Sequence, residues 1–293
     1  MNSDFKAYRL HIRSSMLAML LCALVLGGCR APWDSAKAER AQAATVQIMD
    51  SLRQPDLLRY RALTLPPKQL AQLQNDWPAI RSKFALSKSE QETFNELLLR
   101  FTEPDAEHHL QRDLNAKIRP INSEIVSKWP LMQTSLTLLL QGWIETNQQL
   151  SRSEKDHGKA LVEAIIEQMP AQWLQDKALR QRAFDQMVLI ARSSELQNYN
   201  QYNQLDFQQF HEKLAQFLAG LKDLGKIYGL DWNAGQAKMQ VKVLQQSGAR
   251  AKVQVRYPLG QKWVEFNMDL IEKDGHWYDE SALKLFHDKL SSR

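Results

Sequence analysis

Imidazoles and carboxylates do metal and acid–base chemistry when several face one point. The chain concentrates them once, at Glu103, Asp105, Glu107, His108 and His109. Zinc or a similar transition ion takes such ligands. Neighbouring residues on a helix point about 100° apart, and helical metal pairs use positions i and i+4. Glu103 or Asp105 with His109 meets that spacing only in part. His108 and His109 are therefore weak metal candidates, with a solvated helix face as the expected outcome. Ser281-Ala-Leu-Lys284 matches the Ser-x-x-Lys pattern of penicillin-binding enzymes, which also need a Lys-Thr-Gly strand and a Ser-x-Asn element. Both are missing. Gln197-Asn-Tyr-Asn-Gln-Tyr-Asn-Gln204 offers Tyr199 and Tyr202 among amides, a combination that stacks on and hydrogen-bonds sugars. The same composition also makes a solvated loop between helices. Trp263, at the start of a strand beside Lys262, is a further candidate for glycan contact. No catalytic residue, metal ligand set or diffusible cofactor follows from these patterns. Paired carboxylates become visible only after folding.

The N-terminus is more specific. Met16 to Leu26 is a run of eleven apolar residues, preceded by Lys6, Arg9 and Arg13 against Asp4. That run is too short to span a bilayer and has the length of a signal-peptide core. It ends in Leu26-Gly27-Gly28-Cys29, which resembles the lipobox of bacterial lipoproteins. The resemblance implies a signal peptide over 1–28, peptidase recognition of Leu26, Gly27 and Gly28, cleavage before Cys29, and palmitate-type acyl chains on that cysteine. A short tether, 29–36, would follow. Arg30, in place of an Asp, implies the outer membrane, facing the periplasm. The covalent lipid is then the only cofactor, and the membrane is reached through it. One acyl chain anchors only marginally at ~0.8 kcal/mol per buried CH₂, whereas several hold almost permanently.

Cysteine use agrees. Cys22 falls within the discarded segment and Cys29 carries the lipid, so the mature body has no free thiol. Thiol catalysis and cysteine metal sites are excluded there, and stability must come from the core. Residues 1–28 hold three basic side chains and one acidic, which leaves 35 Lys and Arg against 32 Asp and Glu. The excess is spread out, so no stripe suits nucleic acid.

The elements that must position any site divide by periodicity. Residues 37–230 are helical and Gly-poor. Ser87-Lys-Ser-Glu90 and Ser151-Arg-Ser-Glu154 are capping boxes. Thr102-Glu-Pro-Asp105 is expected to open a helix, and Pro78 to split one. Residues 121–148, with Ile125, Trp129, Leu136, Leu139, Leu140, Trp143 and Ile144, are expected to be the central core helix, kinked at Pro130. A helix over 171–192 follows. Asp206 caps a last long helix, which ends at Gly229 in a Schellman turn.

Residues 236–293 alternate instead. Met239–Val243, Ala251–Tyr257 and Val264–Leu270 place apolar side chains on one face and charged ones on the other. Asp274-Gly275 is a hairpin signal, and a helix over 280–290 closes the chain. The fold class expected is α+β: a mainly helical region, then a small antiparallel meander and a terminal helix. The polar face sets basic strands against an acidic one, so cross-strand ion pairs are expected. This ending weakly resembles the curved sheets of cystatin-like or NTF2-like domains, and the whole body resembles Gram-negative envelope lipoproteins without assigned activity. The expected role is a non-enzymatic envelope scaffold or adaptor with an envelope protein as partner. The alternatives are a peptidoglycan- or glycan-acting enzyme or binder, and a carrier of an apolar ligand beneath the sheet.

Overall fold

The computed structural model describes residues 34–83 and 85–291. The lipobox, with Leu26, Gly27, Gly28 and Cys29, lies outside the described residues, as do the signal segment and Trp33. The fold is α+β.

The alternating region forms the sheet. Strands β1 (Gln240–Ser247), β2 (Arg250–Leu259), β3 (Lys262–Lys273) and β4 (His276–Asp279) run antiparallel in the order β1-β2-β3-β4. Ala251, Val253, Val255 and Tyr257 of β2 pair with Leu270, Met268, Phe266 and Val264 of β3, and all eight are buried. Asp274 and Gly275 both take positive φ, 52° and 77°, as a tight primed hairpin requires. On the polar face Lys252 sits opposite Asp269 and Arg256 opposite Glu265. The expected ion pairs do not form there among the described residues. Arg256 instead lies 4.2 Å above the Trp263 ring, and Glu265 accepts from the Gln254 amide at 2.8 Å.

Two helices cover the apolar face. They are α1 (Ser35–Arg53) and α8 (Arg152–Glu167), joined by Tyr60 of α2 (Leu57–Thr64) and by Leu230. Small residues let them approach: Ala38 and Ala41 on α1, and Ala160 and Ala164 on α8. Arg61 of α2 pairs with Glu154 of α8 at 3.0 Å. The helix α14 (Glu280–Ser291) is capped by Asp279, which accepts from the Ser281 and Ala282 amides at 2.8 and 3.2 Å.

The remaining helices stack beyond this layer: α3 (Pro67–Asn75), α4 (Trp77–Lys83), α5 (Lys88–Thr102), α6 (Ala106–Ile118), α7 (Asn122–Thr146), α9 (Gln172–Gln175), α10 (Lys177–Ser193), α11 (Tyr199–Gln204), α12 (Phe207–Ile227) and α13 (Trp232–Gln236). The capping boxes at Ser87/Glu90 and Ser151/Glu154 are both present, as is one at Asp206/Gln209. Gly229, at φ 78°, closes α12 with Leu230 N donating to Gly225 O at 3.0 Å, the expected Schellman bond. Pro78 sits at the second position of α4, so the apolar ladder is split there as expected.

Two boundaries and one burial assignment differ from the sequence reading. Thr102 ends α5, its hydroxyl donating back to Leu98 O, and α6 begins only after Asp105 in a left-handed conformation. Asp176 caps a new helix within 171–192, separating α9 from α10. The largest correction concerns α7, which is not the central core helix. It packs along α8, with Ile144 beside Gly158 and with Ile125 and Trp129 against Met169 and Ala171 just past the end of α8, while Leu131, Leu138, Leu139 and Trp143 are exposed. The sheet needs flat, small-residue cover, which α1 and α8 provide, so the bulkier α7 is displaced to the outside of α8.

Candidate functional site

Three helices build an open apolar groove. The middle one, α10, packs against both α5 and α12, which have little contact with each other. The approach of α12 to α10 depends on Gly220, where an added Cβ would lie 2.3 Å from Ile190 Cγ1. The result is a groove of about 560 Å³. Leu97, Leu98 and Phe101 of α5 form one wall, Met187 and Ile190 the floor, and Leu214, Phe217, Leu221 and Leu224 the other wall. Leu97, Leu214, Phe217 and Leu221 are exposed. Lys213, paired with Glu195 at 2.8 Å, is the charged residue at the rim.

An aromatic cluster closes one end of this groove. Tyr202 packs 5.6 Å from Phe94 and 6.0 Å from Phe210, and Phe210 lies 5.0 Å from Trp77. The Arg81 guanidinium sits 4.3 Å from the Tyr202 ring and donates to Tyr202 O at 2.6 Å. Trp77 Nε1 donates to Leu205 O at 3.2 Å. Behind these rings lies a second cavity of about 260 Å³, reaching Leu65, Leu73 and Phe286. Phe94, Tyr202 and Phe210 line both spaces.

This cluster accounts for the amide and tyrosine tract. Asn198 caps α11, accepting from Gln201 N at 3.0 Å. Tyr199 is buried, its hydroxyl accepts from Leu86 N at 2.9 Å, and its amide donates to Asn95 at 2.7 Å. Tyr202 is half-buried in the groove's end wall. Trp263 lies on the polar face of the sheet beneath Arg256. Of the three residues named for glycan contact, Tyr199 is thus buried, Tyr202 lines the groove and Trp263 lies on the polar face of the sheet. His109 meets Glu103 at 3.2 Å, and no group of three or more His, Cys, Asp or Glu among the described residues is arranged to hold a metal.

Buried polar groups gather between the sheet and the helices, around a cavity of about 260 Å³ lined by α1, α8, α12 and the Phe266 and Met268 side of the sheet. His157 shares a 2.6 Å hydrogen bond with the Tyr257 hydroxyl and stacks on Phe266 at 4.4 Å. Burial lowers its pKa to about 4. His211, bonded to Phe207 O, is likewise lowered to about 4, chiefly by burial. Burial alone would raise the Glu154 carboxyl, but Arg61 and the Ser151 amide and hydroxyl outweigh it and hold it below its ordinary value. Lys222 donates to Leu52 O, Arg53 O and Asn233 Oδ1 at 2.6, 2.9 and 3.1 Å, tying α12 to the end of α1. Burial, with Arg53 and Lys226 nearby, lowers its pKa to about 8.

These groups tie elements together rather than form a nucleophile–base pair. Ser153 and Ser281 both donate to Asp279, whereas His109, His157, His211 and His276 bond to groups other than serine. Ser281 and Lys284, the Ser-x-x-Lys pair, engage Asp279 and Glu280 respectively and not each other. Sequence reasoning missed the groove. Its lining comes from three helices distant in sequence, so no local pattern announced it. No family model, no curated protein and no solved structure shows a significant match to this chain.

Proposed function

We propose that this chain is a lipid-anchored protein of the bacterial outer membrane, facing the periplasm, that works without chemistry of its own as an adaptor for another envelope protein. Its working surface is the groove between α5, α10 and α12. The observation that carries this reading is an open space of about 560 Å³ with aliphatic and aromatic walls. Exposed contiguous apolar surface of this kind marks an interaction site. A cleft offered by three helices fits the apolar face of a fourth, the helix-in-groove mode of recognition. The anchor rests on the lipobox, and among the described residues no helix is long and apolar enough to cross a membrane.

Two experiments test the parts separately. Cys29→Ser should shift the protein from the membrane fraction to the soluble fraction and abolish its function. Retention in the membrane would remove the anchor, and full function from the released form would remove the scaffold role. Phe217→Asp with Leu221→Asp should leave the far-UV circular dichroism and melting temperature unchanged while abolishing partner capture. Capture undiminished by both changes would move the working surface elsewhere.

A second reading is carriage of a small apolar ligand. The cavity behind Phe94, Tyr202 and Phe210 favours it, because a chain lying in the groove could continue past those rings. An acyl chain released from the purified protein by organic extraction, and excluded by Leu98→Trp, would establish that reading in place of the first. The glycan-acting alternative predicts fragments released from purified sacculi, and none released would end it.

A further inference from the structure

The most apolar helix of the body carries a face that the fold leaves bare. Along α7, Met132, Leu136, Leu139 and Trp143 follow one another at intervals of four, three and four residues. All four are exposed, by between 36% and 68%, and Leu131 and Leu138 flank them at 70% and 66%. No charged residue occurs between Lys128 and Glu145. The adjoining flank is engaged: Trp129 Nε1 donates to Met169 O at 2.8 Å, and Gln133 donates to Ile166 O and Met169 O at 2.7 and 2.9 Å. The bare face is therefore held in a fixed orientation by α8.

Intervals of four, three and four are those of a coiled-coil seam. This seam reads the same in both directions. Two copies of α7 laid antiparallel would place Met132 against Trp143 of the second copy and Leu136 against Leu139. We propose that α7 pairs with its own copy in this way, about a two-fold axis between Leu136 and Leu139. A two-fold contact must be self-complementary, and the palindromic spacing makes it so. Ser135 and Gly142 lie on the same broad side, and a Cβ added at Gly142 would meet nothing within 4 Å, so a second backbone has room.

Charge favours the antiparallel sense. In that register Lys128 comes within a turn of the second copy's Glu145. A parallel pair would set Lys128 against Lys128 and Glu145 against Glu145. Each of these charges already has an intrachain neighbour, Glu124 for Lys128 and Lys159 for Glu145, so cross-copy contacts set register more than strength. Membrane docking fits less well, because helices that lie on bilayers carry basic residues on their polar face. Here Glu124 and Glu145 flank the seam along with Lys128. This contact is independent of the groove.

The test uses the full-length chain in cells. The variants L136C and L139C are expressed together with different tags. The mixed L136C–L139C disulfide should exceed either self-disulfide at least tenfold, and the detergent-solubilised unmodified protein should have the mass of two chains. L139D should reduce that mass to one chain without changing the circular dichroism. A predominant L136C–L136C product, or a one-chain mass for the unmodified protein, would overturn the proposal. So would quenching of Trp143 by brominated lipid in place of the disulfide, which would assign the face to the membrane.

Discussion

The sheet and the outer helices carry similar apolar content and use it in opposite ways. Val253, Val255, Tyr257, Val264 and Leu270 are sealed completely beneath α1 and α8. In the outer helices Leu97 and Phe217 line an open groove, and Leu138 and Trp143 face outward from α7. Stability is thus concentrated where the sheet meets its two covering helices, and recognition surface where helices meet only one another. The difference follows from geometry. A sheet presents one flat face that two helices can cover, whereas each further helix added to the outside brings a new apolar stripe and covers only part of the last.

The contrast can be broken most sharply by truncation. Leu270→Ala, in the sealed region, should cost about 2–5 kcal/mol, as large-to-small core changes do. Urea unfolding measures it. A cost under 1 kcal/mol would show that the sheet is not the stable centre.

Acid should weaken the same layer next. His157 and His211 are held at about 4 in the folded chain, against about 6.5 when unfolded. The unfolded chain therefore binds more protons between those values, so the histidines' contribution is constant above about pH 6.5 and falls as pH drops toward 4. The loss should reach about 2 kcal/mol per histidine by pH 5. Asp279, whose carboxyl burial raises, gains its proton earlier in the fold and offsets part of it. His157→Gln, which retains a hydrogen-bonding end for Tyr257, should flatten the profile between pH 7 and 5. An unchanged profile would mean that His157 binds its proton equally well in the folded and the unfolded chain.

Gly220→Ala sharpens the comparison within the helices. Its Cβ must displace Ile190, at about 1–3 kcal/mol for overpacking, and the shift should narrow the groove. Partner capture should fall more than stability does. A smaller effect is expected of Ser87→Ala, which removes one capping box at about 1 kcal/mol and should loosen only the α5 wall, measurable by amide hydrogen exchange over residues 88–102. Smallest of all, Leu139→Ser on α7 should change stability of the isolated chain by less than about 0.5 kcal/mol, because nothing in the same chain covers it.

The sheet was legible from sequence because strict alternation names both the strand and its buried face. Ala251, Val253, Val255, Tyr257, Val264, Phe266, Met268 and Leu270 all fall inward. Caps were legible for a similar reason: Ser87, Ser151 and Asp206 each act within one turn. Burial of helices was not. The composition of α7 is that of a core helix, but whether a helix lies inside depends on which other helix reaches the sheet first, and small residues such as Ala41 and Ala164 decided that in favour of α1 and α8. Helix order therefore hid the groove as well. Leu97, Ile190 and Phe217 come from segments more than a hundred residues apart at the extremes, and only their packing around α10 makes a site. Within the tyrosine tract, packing likewise decided that Tyr199 turns inward onto Phe94, which it meets at 5.8 Å.

The central claim is that the groove between α5, α10 and α12 receives another envelope component. A photoactivatable amino acid at Leu221, in the groove, tests it most directly in living cells, with Leu189 of α10, exposed but not lining the groove, as the matched control. The account predicts one discrete envelope protein joined at 221, absent at 189, and lost when Leu97→Asp is added. Equal labelling from both positions, or no product above background at 221, would contradict it.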